Sequence, residues 1–278
     1  MHENEFTAYL KESLYKKDLN KIIFSGTATS GKIEELLRKA YIFYKELIEW
    51  NKKINLTAIT EPSEFIERNI IDSLMVFKIL DCGFYENSEN LRNNTEYQYN
   101  KYDNGCGENN AGIININITK YEDKNILKLL DIGSGAGLPG IILKIFNPDA
   151  VLYSIESVLK KSAFQKYAAR KLGFENFYCI NENIYKIYEL PKVNAIITRA
   201  AFNVNELFHL IDSLEMKNLE PPVNLILFLT NLKDANTITN GKYGDKSLYI
   251  DKILMYKNNN DRDKKFKQIV NFKIINKI

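Results

Sequence analysis

LKLLDIGSGAGLPGIILKIF, residues 127–146, is an apolar run, a cluster of glycines at 133, 135, 137 and 140, and a second apolar run. The first run reads as a buried strand. The second opens with Pro139, which suits the first turn of a helix. A glycine loop between a strand and a helix lets the backbone turn tightly and approach a ligand closely. In an open α/β sheet that position lies at the carboxyl ends of the strands, where ligands sit.

Downstream the same alternation continues. AVLYSIES (150–157) reads as a strand and VLKKSAFQKYAARKLGF (158–174) as a helix. NFYCINE (176–182) and VNAIITRA (193–200) are further strands, VNELFHLIDSL (204–214) a helix, and VNLILFLTNL (223–232) a strand. Repeated strand–helix units imply parallel strands with right-handed crossovers. The tail differs: SLYIDKILMYK and FKQIVNFKIINKI are two long strands around the polar turn NNNDRDKK, an antiparallel hairpin closing the sheet. The expected fold is therefore α/β, a mostly parallel seven-stranded sheet ending in that hairpin.

Upstream, residues 33–49 place Ile33, Leu36, Leu37, Ala40, Tyr44, Leu47 and Ile48 on one helical face, after the turn-rich connector FSGTATSG. A second helix is expected from Pro62 and Ser63, with Phe65, Ile66, Ile70, Leu74, Phe77, Ile79 and Leu80 apolar. Residues 1–85 read as an N-terminal helical extension, 126–278 as the sheet-bearing core, and 86–125 as an inserted loop. The insert is crowded with Asn, Tyr and charges and lacks sustained periodicity before IININI.

An apolar fraction of 45% and a charged fraction of 26% belong to an ordinary soluble globular protein. The N-terminus carries early acidic residues and no apolar h-region, and no apolar run approaches the roughly 20 residues of a membrane span. A cytoplasmic protein is expected, with no membrane partner. Cys82, Cys106 and Cys179 show no C-x-x-C spacing and read as free thiols; with only His2 and His209 besides, no metal is expected. His209 reads as a core or boundary histidine, and Trp50, the one tryptophan, as a packing anchor. The net charge of +3 points only weakly to a polyanion. Nothing demands an oligomer, so a monomer is expected.

Two ligand patterns overlap in the glycine loop. Gly135, Gly137 and Gly140 satisfy G-x-G-x-x-G, the dinucleotide pattern. The other frame is D-x-G-x-G-x-G, from Asp131 through Gly133, Gly135 and Gly137. A carboxylate there repels a pyrophosphate but suits the amino or sulfonium region of S-adenosylmethionine, which carries no phosphate. Glu156, ending the next strand, is placed to accept from a ribose diol in either cofactor. The residues favour the methyl donor, with an NAD(P)-dependent oxidoreductase as the alternative.

For the acceptor, the region after the fourth strand reads ITRAAF, without the Asn/Asp-Pro-Pro-aromatic element used on exocyclic amines; Pro221-Pro222 lies elsewhere, and no Pro-Cys nucleophile is present. Guanine N7 already carries a free lone pair, needs no base, and fits catalysis by positioning.

WNKKINLTAIT (50–60), ERNIIDSL (67–74), LLDIGSGAGLPGIILKI (129–145) and ITRAAF (197–202) occur in an order that resembles the RsmG (GidB) family. These are Rossmann-like class I methyltransferases acting on guanine N7 in 16S ribosomal RNA of the small subunit. The likeness spans about residues 33–85 and 126–214. It implies cofactor contacts at Gly133, Leu138, Ile184, Tyr185 and Arg199 and agrees on Glu156 for the ribose; Asp131, Gly135 and Gly137 join them from the residue pattern. Arg199 would also border the acceptor, as the candidate catalytic residue. RNA contacts are expected at Lys52, Lys53, Asn55, Arg68, Lys160 and Lys161, the last two at the start of an amphipathic helix. The apolar side of that helix should hold Leu159, Phe164, Tyr167 and Leu172. The chain departs from the family pattern at Asn69 (usually His), Tyr185 (usually acidic), Leu229-Thr230-Asn231 (usually Leu-Lys-Gly) and the 86–125 insert. Those departures keep open a catalytically degenerate rRNA-binding assembly factor.

Overall fold

The computed structural model describes residues 1–24, 29–80, 126–187, 189–199, 206, 209–210, 223–229, 246–256 and 267–276. Seven strands form one sheet: β1 Lys128–Ile132, β2 Val151–Ile155, β3 Phe177–Ile180, β4 Ala195–Arg199, β5 Val223–Leu229, β6 Lys246–Tyr256 and β7 Lys267–Asn276. Their order is β3-β2-β1-β4-β5-β7-β6. The first five in that order run parallel, and β7 lies antiparallel to both β5 and β6. This is the sheet expected of a Rossmann-like class I methyltransferase, including its closing hairpin. The strand order reverses between β1 and β4, which opens a ligand crevice at their carboxyl ends.

Residues of β1 explain why an uninterrupted apolar run works here. Leu129 packs with the N-terminal helices, Leu130 and Ile132 with a second core on the opposite face, and all three are buried. A parallel strand covered on both faces needs apolar residues on both.

The helical extension comprises α1 Glu3–Lys16, α2 Asn20–Ile23, α3 Ser30–Asn51, α4 Pro62–Phe65, a π-helical segment Ile66–Ile71, and α5 Asp72–Ile79. In α3 the predicted stripe Leu36, Leu37, Ala40, Tyr44 and Leu47 is buried, joined by Phe43. Phe6 of α1 stacks on Tyr44 at 5.2 Å, and Phe43 approaches Phe164 at 6.0 Å. Phe164 lies on α7, Leu159–Lys171; α6 spans Gly140–Phe146 after the glycine loop. Trp50 sits between α3 and α7, 5.6 Å from Phe164 and 5.2 Å from Tyr167, as a packing anchor. Asn51 pins the following loop: its Oδ1 accepts from Leu56 and Thr57 N–H, and its Nδ2 donates to the Thr57 carbonyl.

Several expectations need correction. The helix from Pro62 is not uniformly α-helical, because its middle widens to a π-turn. Pro139 caps α6 rather than occupying its first turn. Leu159 is 69% exposed, since α7 has only begun at that position and has not yet turned it onto the sheet. His209 is exposed while its neighbour Leu210 takes the core position. The 86–125 insert, Cys82, Cys106, Pro221-Pro222, Thr230-Asn231, the NNNDRDKK turn and most of the 204–214 helix lie outside the described residues. Among the described residues no helix is long and apolar enough to cross a membrane.

Candidate active site

The glycine loop is stitched to β2 through its backbone. Gly133 and Ser134 N–H both donate to the Ile155 carbonyl, at 3.0 and 3.2 Å. Glu156, 5% exposed, accepts from Gly135 N–H through Oε2 and from Val158 N–H through Oε1, both at 2.8 Å. Each carboxylate oxygen retains a second lone pair for a ligand. Gly133, Gly135 and Gly137 all have left-handed backbones, with φ of 70°, 59° and 87°. A Cβ at Gly137 would collide with the Ile141 side chain, whereas one at Gly135 would meet nothing within 4 Å. Gly137 is thus held to glycine by its φ of 87° with Ile141 packed against it, and Gly135 fronts open space.

A polar network behind the loop was not anticipated. Gln165 of α7, fully buried, donates Nε2 to Ser134 Oγ and to the Gly135 carbonyl, each at 2.8 Å. Ser154 Oγ donates at 2.6 Å towards Gln165 Oε1 and lies 2.6 Å from Ser134 Oγ. The available signal was a glutamine directly beside the core residue Phe164 on a helix whose polar positions are mostly Lys and Arg. Cys179, a free thiol, borders this network, and burial pushes its thiol up.

Most of the loop's amides are already engaged. Gly137 and Leu138 N–H donate to the Ser134 carbonyl, Ile141 N–H to the Gly137 carbonyl, and Gly140 N–H to Asp131 Oδ2. A dinucleotide pyrophosphate binds to unpaired N–H groups at such a helix start. Here those donors are turned inward.

Asp131 is 1% exposed, beneath the loop, with Oδ2 on Gly140 N–H at 2.9 Å and Oδ1 buried without a partner. Burial raises its pKa to about 7; the Gly140 N–H opposes this, the Glu156 carboxylate adds to it, and the Arg199 guanidinium opposes it. Near neutral pH this carboxyl is only partly ionised. Charge repulsion at Asp131 therefore separates the two cofactors less sharply than the sequence suggested, and the occupied amides separate them better.

Arg199, ending β4, has its side chain 21% exposed. Its Nη2 donates to the Arg68 carbonyl at 2.5 Å and lies 3.6 Å from Asp72 Oδ2, and its Nη1 donates to Asn69 Oδ1 at 3.3 Å. The guanidinium sits 5.6 Å from the Phe228 ring centroid. Asp72, 2% exposed, also accepts from Lys267 Nζ at 2.7 Å. A carboxylate inside the apolar stretch IIDSLMVF was the sequence signal for this anchor.

Ile184 is buried in the core on the far face of the sheet, in a short 3₁₀ turn Ile184–Lys186, while Tyr185 is 46% exposed. Leu138 is partly buried against the main core. Lys53, Asn55 and Lys160 are exposed and Lys161 is half-buried. Lys52 pairs with Glu49 at 2.5 Å, and Arg68 with Glu64 at 2.7 Å. The structure brings Asp131, the glycines, Glu156 and Arg199 to one crevice. Lys52, Lys53 and Asn55 follow the end of α3, on the helical side.

A family model described as GidB, rRNA small subunit methyltransferase G, matches residues 36–86 and 113–235. The chain belongs to the GidB family. Among relatives named ribosomal RNA small subunit methyltransferase G, that of Azoarcus sp. (strain BH72) is 29% identical over 168 residues, 60% of this chain and 59% of the relative. That of Mycoplasma capricolum is 30% identical over 181 residues, 64% of this chain and 59% of the relative. That of Aquifex aeolicus is 31% identical over 183 residues, 66% of this chain and 73% of the relative. The chain thus spans less than two thirds of the length of the first two. Both blocks of the GidB match include site residues: Arg68, Asn69 and Asp72 in one, the glycine loop and Arg199 in the other.

Proposed function

We propose that this GidB-family chain transfers a methyl group from S-adenosylmethionine to N7 of a guanine in 16S ribosomal RNA, with the small ribosomal subunit as its partner. The observation that carries the reading is the family match across both halves of the crevice. The residues present fit the cofactor. Gly135 offers a left-handed backbone facing open space, Asp131 Oδ1 is buried without a partner, and the loop's inward-turned amides suit a ligand without phosphates.

Glu156 would accept from the ribose, Asp131 would act through Oδ1, and Gly133, Gly135, Gly137, Leu138, Ile184 and Tyr185 would line the cofactor. When bound, the cofactor supplies an electrophilic sulfonium methyl, whose C–S bond breaks as the bond to N7 forms. The guanine lone pair needs no deprotonation, so the protein's contribution is to hold nucleophile and methyl in line. Arg199 borders the acceptor. A guanidinium has five donors and no acceptor, and the bonds to Asn69 and Arg68 occupy two, leaving others for a phosphate, carbonyl or carboxylate oxygen. Lys52, Lys53, Asn55, Arg68, Lys160 and Lys161 would meet the RNA backbone.

Expression in a bacterial strain lacking the N7-methylguanosine of its small-subunit RNA tests this reading. Borohydride–aniline cleavage of the recovered 16S RNA at a single guanine is the expected result. Uncleaved RNA in cells that contain the folded protein would reject it.

A further inference from the structure

We infer that Asn69 and Asp72, carried by the π-turn and the first residue of α5, are positioning residues that aim the Arg199 guanidinium into the crevice. The inference rests on the proposed role of Arg199 beside the acceptor and deepens it.

Three observations converge. First, in a regular helix the Asp72 N–H would bond the Arg68 carbonyl. Where the π-turn ends it reaches only three residues back, to the Asn69 carbonyl, and the Arg68 carbonyl takes Arg199 Nη2. The widened turn therefore does a specific job, in keeping with the occurrence of such turns at functional sites. Second, the guanidinium can only donate, so Asn69 must present its oxygen to it. That orientation leaves Asn69 Nδ2 buried and without a partner, on a side chain only 4% exposed. An amide held with one end unsatisfied is serving its other end. Third, Asp72 is 2% exposed and places Oδ2 between Arg199 and Lys267, so strand ends β4 and β7 are registered to the same carboxylate.

The π-turn is itself held from behind. Ser13 of α1 donates to Glu67 Oε1 at 2.7 Å, and Ser73 Oγ donates to the Asn69 carbonyl at 2.5 Å. The N-terminal helices thus reach the crevice through Arg199. A histidine at position 69, with one ring nitrogen as acceptor, could receive the same bond.

The test is a double-mutant cycle with an independent spectroscopic readout. Asn69→Ala should lower kcat for methyl transfer roughly 10- to 100-fold, the size of one hydrogen bond to a charged group. Asn69→His should restore most of the loss, and Asn69→Ala should cost nothing further in an Arg199→Ala background. In ¹⁵N spectra, wild type and Asn69→His should show separate Arg199 Nη signals, from a guanidinium held against rotation. Asn69→Ala and Asp72→Asn should show one averaged signal. A wild-type kcat in Asn69→Ala, or a loss that adds to that of Arg199→Ala, would overturn the inference. Should wild type transfer no methyl at all, the proposed function falls. The spectra then decide positioning alone, and separate signals surviving in Asn69→Ala would overturn it.

Discussion

Asp131 is the residue whose burial has the clearest consequence. Its folded pKa lies at about 7, raised from 3.8, so between those values the folded state binds a proton that the unfolded state does not. Stability must then fall as pH rises through that window. The cost of the buried carboxylate is absent below about pH 4 and complete above about pH 7. Asp131→Asn keeps an acceptor for Gly140 N–H and removes the charge. Urea midpoints should show the variant gaining on wild type from pH 4.5 to pH 7.5; parallel curves would contradict this. The neighbouring glycines separate packing from ligand contact. Gly137→Ala meets Ile141 and adopts φ of 87°, and should destabilise by about 2 kcal/mol or more. Gly135→Ala meets nothing in the protein, so its loss should be about 1 kcal/mol, with S-adenosylhomocysteine binding falling further than stability does. Calorimetric titration beside denaturation distinguishes the two.

At the scale of elements, the loop is rigid because α7 and β2 hold it from behind. Gln165→Leu takes the Nε2 donor from the Gly135 carbonyl and the Oε1 acceptor from Ser154 Oγ, and a buried polar group left without its partner costs about 1–3 kcal/mol. Both the thermal midpoint and S-adenosylhomocysteine affinity should drop; unchanged affinity would separate the network from the ligand site. The parallel strands were legible in the sequence as short continuous apolar runs bounded by turn residues, and α3 because its apolar period of 3.6 is long and uninterrupted. The glycine loop was legible because left-handed backbone leaves few alternatives to glycine. Gln165, Ser154 and Asp72 were not, since their roles depend on partners brought from distant segments by folding. The π-turn was equally hidden, because nothing in IERNII distinguishes five residues per hydrogen-bonded turn from four. Leu159 failed for a related reason: a position's exposure at the end of an element depends on where that element begins.

Across the whole molecule, the N-terminal helices and the sheet are joined by polar contacts at Arg199. Arg199 on β4 is held by Arg68, Asn69 and Asp72 from the extension, so the crevice is assembled from both halves of the GidB match. The RNA candidates include residues after α3 and at the start of α7. If they meet phosphates, log Kd for 16S RNA should depend linearly on log salt. The quadruple change Lys52→Ala, Lys53→Ala, Lys160→Ala and Lys161→Ala should flatten that slope without altering S-adenosylhomocysteine affinity. A slope equal to wild type would move the RNA face elsewhere.

The most direct measurement is transfer of radiolabelled methyl from S-adenosylmethionine to purified small subunits that lack N7-methylguanosine, followed by nucleoside analysis. The account predicts label in N7-methylguanosine, at one site of 16S RNA. Label in another nucleoside, or none from a protein that still binds S-adenosylhomocysteine, would contradict it.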